Sequence, residues 1–137
     1  MSQLQLKIVT PEKLIIDEMV EMVTLPSSEG ELGILPHHAS LMAKLVPGEL
    51  RIKKNGKEEV LAAAGGFIQM TGNTLTILTD LAVGEKEIDE KAVEQAKMRA
   101  EKALEEKLTA EEYAETWAIL EKSLAQLKVK RRRRAIN

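Results

Sequence analysis

The chain has 137 residues, a length that fits one ordinary domain or two small ones. It contains no cysteine, which excludes disulfides, thiol catalysis and cysteine-ligated metal sites, and its single Trp, Tyr and Phe leave nearly all burial to aliphatic side chains. The formal net charge of -2 conceals an uneven distribution, because residues 121–137 hold 7 basic side chains and 1 acidic one. Positive charge is therefore concentrated near one end of the chain, as expected of a segment that meets an acidic surface.

Neither a signal peptide nor a membrane span is expected. The first residues lack the basic region and long apolar stretch that are typical of a signal peptide. The longest apolar run, residues 60–68, is far shorter than the roughly 20 residues that cross a bilayer. We therefore expect a protein that is soluble or peripheral to a membrane.

Up to about residue 84 the pattern is typical of short strands, because apolar and polar residues alternate. The alternating apolar residues are Leu4, Leu6 and Ile8, then Leu50 and Ile52, then Leu75 and Ile77. Asn55-Gly56 and Gly72-Asn73 lie between candidate strands and predict hairpin turns, and Asn-Gly favours type I′. Gly65-Gly66 indicates a bulge or a close approach of two backbones. This half predicts an all-β sandwich or barrel.

Within this half, residues 30–48 form the densest cluster of turn signals in the chain, GELGILPHHASLMAKLVPG. Gly30 and Gly33 allow backbone angles closed to other residues, and Pro36 fixes its own φ. Pro47-Gly48 predicts a second turn. We interpret the segment as a shaped ledge between strands.

After Gly84 the apolar period changes to that of α-helices. A first helix begins near Asp89 and presents the small residues Ala92, Ala96, Ala100 and Ala103, followed by Leu104. The face predicted for a second helix consists of Tyr113, Trp117, Leu120, Leu124 and Leu127. Thr109 and Glu112 form a capping box, so the connection between the helices lies near Leu108-Thr109. Because alanine methyl groups bury little surface, we expect this hairpin to be marginally docked and able to detach.

The sequence carries no recognisable catalytic constellation, Walker loop or dinucleotide-binding glycine pattern. Ser27, Ser28 and Ser40 have no evident His and Asp partners. His37 and His38 could suggest a metal site, but adjacent side chains on extended backbone point to opposite faces, so a role in bridging backbone after Pro36 is favoured.

Two groups of charged residues have more than one interpretation. Glu29 and Glu31 do not form a recognisable acid and base pair, and their default interpretation is that of solvated loop charges. The four arginines at residues 131–134 allow contact with a protein partner, a solvated helix end that complements the helix dipole, or nucleic-acid binding. The lack of nearby aromatic residues for stacking disfavours nucleic acid.

With a β half, a helical-hairpin half and the segment at 30–48 in this order, the whole chain resembles the ε subunit of bacterial and chloroplast F-type ATP synthases. The resemblance implies an α+β protein with an N-terminal antiparallel β-sandwich at 1-84 and a C-terminal two-helix hairpin at 85-137. It further implies a noncatalytic central-stalk subunit, peripheral on the cytoplasmic face of the bacterial plasma membrane, with the chloroplast thylakoid as the alternative.

The resemblance also implies partners. The sandwich would bind the γ subunit and contact the c-subunit ring, with Glu31 and His38 in the ring-facing region; for Glu31 the solvated-loop interpretation stays open. The hairpin would fold on the sandwich or extend along γ into the α/β catalytic head and inhibit ATP hydrolysis there. The residues matched to its contact with an acidic segment of the β subunit are Lys122, Lys128, Lys130, Arg131, Arg132, Arg133 and Arg134.

Some bacterial relatives bind ATP through the motif Ile-Asp-x-x-Arg-Ala. Here Ile88 and Asp89 match, but Ala92 and Val93 replace the Arg and Ala, which removes a cation suited to phosphate. Arg99 matches a further nucleotide contact, whereas Lys122 and Gln126 each replace an arginine. The resemblance thus implies a degenerate site with weak ATP binding at best and no required cofactor. Ile88, Asp89 and Val93 alternatively form a helix cap with a hydrophobic staple.

Three functions follow from these patterns. The favoured one is a rotor subunit that couples γ to the ring and inhibits hydrolysis. The second is an ATP-sensing module with the hairpin folded on the sandwich, which Ala92 and Gln126 oppose. A hydrolytic enzyme, the third, has no residue set to support it.

Overall fold

The computed structural model describes residues 2–136, which form ten β-strands followed by two α-helices. The strands are β1 Leu4–Val9, β2 Leu14–Val20, β3 Met22–Ser27, β4 Gly30–Ile34, β5 Leu41–Leu45, β6 Gly48–Lys54, β7 Lys57–Ala63, β8 Gly66–Thr71, β9 Thr74–Thr79 and β10 Ala82–Gly84. A short 3-10 turn at Glu85–Glu87 leads to α1 Glu90–Ala103 and α2 Ala110–Ile136. The α+β order predicted from the two apolar periods is confirmed.

Neighbouring strands in the sheet follow the order β10-β7-β6-β3-β5-β8-β9-β1-β2. The remaining strand, β4, is hydrogen-bonded to β3. All strand pairs are antiparallel except β1 with β9, where Leu6 lies opposite Leu75 and Ile8 opposite Ile77 in parallel register. The sheet curls around an aliphatic core that includes every alternating residue predicted from the sequence. These residues, Leu4, Leu6, Ile8, Leu50, Ile52, Leu75 and Ile77, have no exposed surface.

The predicted turns are confirmed. Asn55 and Gly56 connect β6 to β7, where Lys54 pairs with Lys57. Both turn residues adopt positive φ, at 54° and 74°, as a type I′ hairpin requires. Gly72 has φ 61° in the β8–β9 hairpin. Gly66 makes the predicted close backbone approach, because a Cβ there would lie 1.8 Å from the carbonyl oxygen of Leu78.

The segment at 30–48 is more regular than the predicted ledge, because it contains all of β4 and β5 and leads directly into β6. The irregular part is confined to its middle and its end. After Pro36, His37 adopts φ 63° and donates its backbone N–H to the side-chain oxygen of Asn73 at 2.9 Å. The segment is therefore part of the sheet, and only its turns are shaped by glycine and proline.

Both helix starts agree with the sequence. Asp89 is the N-cap of α1, and its Oδ1 accepts the backbone N–H of Ala92 at 3.1 Å. At α2 the capping box is reciprocal, since Thr109 Oγ1 accepts from the Glu112 N–H and the Glu112 carboxylate accepts from the Thr109 N–H. No helix within 2–136 has the length and apolar character needed to cross a membrane.

The face predicted for α2 is half wrong. Leu120 and Leu127 are buried, but Tyr113, Trp117 and Leu124 are each about half exposed. The other buried residues are Ser123, Ala125 and Val129. The reason is that α2 packs against α1 on one side and against β6 and β7 on another, so its buried surface is not one stripe. The hairpin is folded onto the sandwich.

Candidate functional site

The hairpin meets the sandwich through a small apolar cluster. Ala62 of β7, Ile88 of the linker and Val129 of α2 are buried together, at 0%, 6% and 1% exposure. Val93 and two neighbouring valines, Val60 and Val83, pack against them and are partly buried. The contact of Ile88 and Val93 with the same cluster agrees with the predicted hydrophobic staple. The apolar contact between hairpin and sandwich is therefore confined to a few side chains.

The four arginines at 131–134, here called the arginine tip, contact carboxylates of this same chain. Arg131 contacts Glu94 at 2.6 Å and Glu90 at 3.3 Å, and Arg134 also pairs with Glu90. These pairs join α2 to the first turns of α1. They lie partly exposed, and exposed ion pairs contribute at most about 1 kcal/mol each.

Arg132 and Arg133 instead reach the sandwich, where both contact the carboxylate of Glu49 on β6. Arg133 Nε donates to Glu49 Oε1 at 2.5 Å, and Arg132 Nη1 donates to Glu49 Oε2. Arg133 also lies 3.6 Å from Glu58. The Glu49 side chain is 6% exposed, so two cations of the hairpin meet a nearly buried anion of the sandwich.

Glu49 was missed in the sequence, although a signal was present. Strand alternation places Glu49 and Arg51 on the same face of β6, opposite to that of Leu50 and Ile52. The opposite signs of Glu49 and Arg51 on this face allow an ion-pair network there, and this was the available signal. The sequence alone did not show that the arginine tip is part of this network.

Arg51 links Glu49 to Glu31. Its guanidinium donates to Glu31 Oε1 at 2.8 Å and to Glu49 Oε2 at 3.3 Å. The hydrogen bond from Arg51 lowers the pKa of Glu31, and the same bond raises the pKa of Arg51. Glu31 lies on β4 rather than in a loop, and its charge is paired rather than only solvated.

The two residues matched to the ring-facing region lie at opposite ends of β4. Glu31 is at its start, beside Lys128 and Arg132 of α2, with which it lines a small surface cavity. His38 follows its end, and its Nδ1 is 2.8 Å from the carbonyl oxygen of Ala39. This contact matches the predicted backbone role of His38. The structure therefore does not bring these two residues together.

The three lysines differ in their contacts. Lys130 donates to the backbone oxygen of Glu85 at 3.2 Å and lies 3.5 Å from its carboxylate. Lys128 is exposed, and Lys122 lines a surface cavity with Lys44 and Asp80. Lys130 thus belongs to the contact between hairpin and linker, whereas the other two face more open surface.

The residues matched to the ATP site do not form one cavity. Ile88 is buried in the apolar cluster, and the Asp89 carboxylate is engaged as the α1 N-cap. Arg99 donates to the backbone oxygen of Gln95 and lines a cavity between α1 and α2, whereas Lys122 lines a different one. Ala92 is exposed at the position of the missing arginine. This arrangement fits the cap-and-staple interpretation.

An exposed apolar patch on the sandwich was also missed. Met42, Phe67 and Leu78 lie on the outer face of the adjacent strands β5, β8 and β9, at 78%, 61% and 46% exposure. Phe67 and Leu78 are cross-strand partners. Phe67 is the only phenylalanine of the chain, and its position in the alternating pattern of β8 was the available signal.

The sandwich and the folded two-helix hairpin correspond to two domains of one known family. The family model for the ATP synthase delta/epsilon chain β-sandwich domain matches residues 3–85, and the model for the long α-helix domain matches 86–131. The chain is 42% identical over 131 residues to the ATP synthase epsilon chain of Herpetosiphon aurantiacus, with 96% of each chain covered. It is 38% identical over 135 residues to that of Alkalilimnicola ehrlichii, covering 98% of this chain and 96% of the relative.

Solved structures share the fold. A chain of the Euglena gracilis mitochondrial ATP synthase, solved as OSCP/F1/c-ring, superposes with a TM-score of 0.69 at 24% identity, covering 100% of this chain and 83% of that one. A chain of the Tetrahymena thermophila mitochondrial ATP synthase central stalk and c-ring gives 0.60 at 17% identity, with 92% and 95% covered. The protein belongs to the ATP synthase epsilon-chain family and is a noncatalytic subunit of ATP synthase.

Proposed function

We propose that this subunit couples a γ subunit to a c-subunit ring and inhibits ATP hydrolysis through its hairpin. The observation that carries the proposal is the nature of the hairpin contact: a small apolar cluster and a set of ion pairs, which water and another acidic surface can replace. A hairpin held in this way can exchange between two docked positions at low cost.

The sandwich supplies the permanent contacts in this proposal. The patch of Met42, Phe67 and Leu78 is the apolar surface suited to docking on γ, because large exposed apolar side chains on adjacent strands mark interaction sites. Glu31 or His38 would contact polar loops of the ring. The subunit would thereby be held peripherally on the cytoplasmic face of the bacterial plasma membrane by its complex.

The hairpin supplies the regulated contact. When extended along γ, it would carry Lys122, Lys128, Lys130 and the arginine tip into the α/β head, where they would meet an acidic segment of the β subunit. The half-exposed Tyr113, Trp117 and Leu124 would then be covered. Apolar side chains left exposed on α2 in the folded state support a second docked state that buries them.

Truncation after residue 86 is expected to retain binding to catalytic heads containing γ and to abolish inhibition. The full chain should lower the steady-state ATPase rate severalfold, and the truncated chain should leave it at the rate of heads alone. Circular dichroism of the truncated chain would control for folding of the sandwich. Failure of the full chain to bind heads containing γ would overturn the whole assignment, and binding without a change in rate would remove inhibition and leave coupling.

ATP is expected to bind the isolated chain weakly at best, because the cations at positions 92 and 126 are missing and Asp89 is used as a cap. The folded hairpin and the matching residues Ile88, Asp89 and Arg99 favour an ATP-sensing function. Isothermal titration calorimetry checks the affinity, and a double variant with Ala92→Arg and Gln126→Arg is the matched comparison, for which we expect tighter binding. Micromolar or tighter affinity of the unchanged chain would refute this expectation.

A further inference from the structure

We propose that Glu49 is the latch that selects the folded hairpin, by binding Arg132 and Arg133 in competition with the partner that the arginine tip meets when extended. The inference deepens the regulation of the proposed inhibitory function and rests on it for the identity of the competing partner. The latch itself is a property of the isolated chain.

The geometry of Glu49 is that of a receptor for guanidinium groups. Both carboxylate oxygens are used, Oε1 by Arg133 Nε at 2.5 Å and Oε2 by Arg132 Nη1. The side chain is 6% exposed, so it has lost most of its hydration and depends on these charge-assisted hydrogen bonds. Its cross-strand partner is Ala62, the residue of β7 that contacts Val129 in the apolar cluster. The latch therefore lies beside the apolar cluster of the hairpin contact.

Release of the hairpin does not leave Glu49 without a partner. Arg51, on the same face of β6, donates to Oε2 at 3.3 Å and stays with the sandwich when α2 departs. Water can reach the remaining lone pairs once the helix is removed. The carboxylate is thus paired in both states, which keeps the difference in free energy between them small enough for a partner to reverse.

The same two arginines cannot serve both states. The Arg133 side chain is 17% exposed and contacts both Glu49 and Glu58, so an acidic partner must displace these carboxylates to bind it. The Arg132 side chain is 52% exposed, so its competition comes from departure of the helix from Glu49. In relatives with a complete ATP motif a nucleotide would favour the folded state, but positions 92 and 126 lack the cations here. The Glu49 latch provides folded-state stability that needs no ligand.

Amide hydrogen exchange of the isolated full-length chain tests the latch. In the Glu49→Gln variant, α2 amides at 120–133 should exchange about tenfold faster than in the unchanged chain, because the charge-assisted hydrogen bonds that hold Arg132 and Arg133 to β6 are weakened. Sandwich amides should exchange as before. Glu59→Gln on the neighbouring strand β7 is the matched control, since Glu59 is exposed and makes no ion pair among residues 2–136.

A second variant distinguishes loss of the latch from misfolding of the sandwich caused by the Glu49 substitution. Arg132→Gln combined with Arg133→Gln changes only the helix end and should reproduce the faster exchange. Raising the salt concentration should speed exchange of α2 in the unchanged chain and have less effect in Glu49→Gln. Exchange in both variants equal to that of Glu59→Gln would overturn the latch. These exchange measurements use the isolated chain without catalytic heads. If the full chain failed to inhibit ATPase, the proposed inhibitory function would fail, but the latch would be tested independently.

Discussion

Gly66→Ala is expected to lower the free energy of unfolding of the sandwich by about 3 kcal/mol, the upper range for overpacking a well-packed interior. The added Cβ would lie 1.8 Å from the carbonyl oxygen of Leu78 and 2.9 Å from its carbonyl carbon. Both atoms are backbone of β9, which pairs with β8 from Gly66↔Thr79 onwards, so relief of the clash requires the two strands to separate locally.

Gly65→Ala is the matched control for this prediction. A Cβ at Gly65 would lie 3.4 Å from the nearest atom, the carbonyl oxygen of Leu45, which a small shift accommodates. Urea titration followed by NMR signals of β8 and β9 amides measures both variants on the sandwich itself, whereas fluorescence of Trp117 would report on the hairpin. Equal midpoints for the two variants would show that the close approach at Gly66 is not a constraint.

Val129→Asn is expected to shift the docking equilibrium of the hairpin by about 3 kcal/mol toward release, with the sandwich still folded. The change removes a buried aliphatic side chain from its packing with Ala62, Ile88 and Val93 and places a polar amide in this apolar cluster. Exchange of α2 amides should then approach that of an isolated helix. The effect should exceed that of Glu49→Gln, because it removes apolar contact rather than charge pairing.

Leu124→Asn is the control on the same helix. Leu124 is 46% exposed, so this substitution should change exchange of α2 only by the lower helix propensity of asparagine, a few tenths of a kcal/mol. Comparison of the two variants by amide exchange also tests the observed orientation of α2 directly. Release of the hairpin by Leu124→Asn but not by Val129→Asn would contradict the role of Val129 in docking.

The sandwich could be predicted from the sequence because each of its signals is local. Alternation at Leu4, Leu6 and Ile8 marks one buried face, and Asn55-Gly56 requires positive φ at both residues. The helix starts at Asp89 and Thr109 could be predicted for the same reason, since a cap is a contact between residues three apart.

The α2 face could not be predicted in full, because an apolar stripe identifies a helix with one partner and α2 has two. Ser123 and Ala125 are buried where α2 packs, although a search for large apolar residues passes over them. Trp117 belongs to the apolar period and is nevertheless 46% exposed. Whether a helix residue is buried depends on which elements pack against it in the folded chain. The spacing of apolar residues along the helix does not contain that information.

The features of the candidate site likewise separate into those that follow from the sequence and those that required the tertiary structure. The sequence by itself determined that basic charge is concentrated on the last turns of α2, because this is a property of adjacent residues. Only the tertiary structure decided that Arg132 and Arg133 meet Glu49, which lies 83 and 84 residues earlier in the chain. The physical reason is that helix and strand patterns arise from neighbours within a few positions, whereas an ion pair depends on how a helix packs on a sheet.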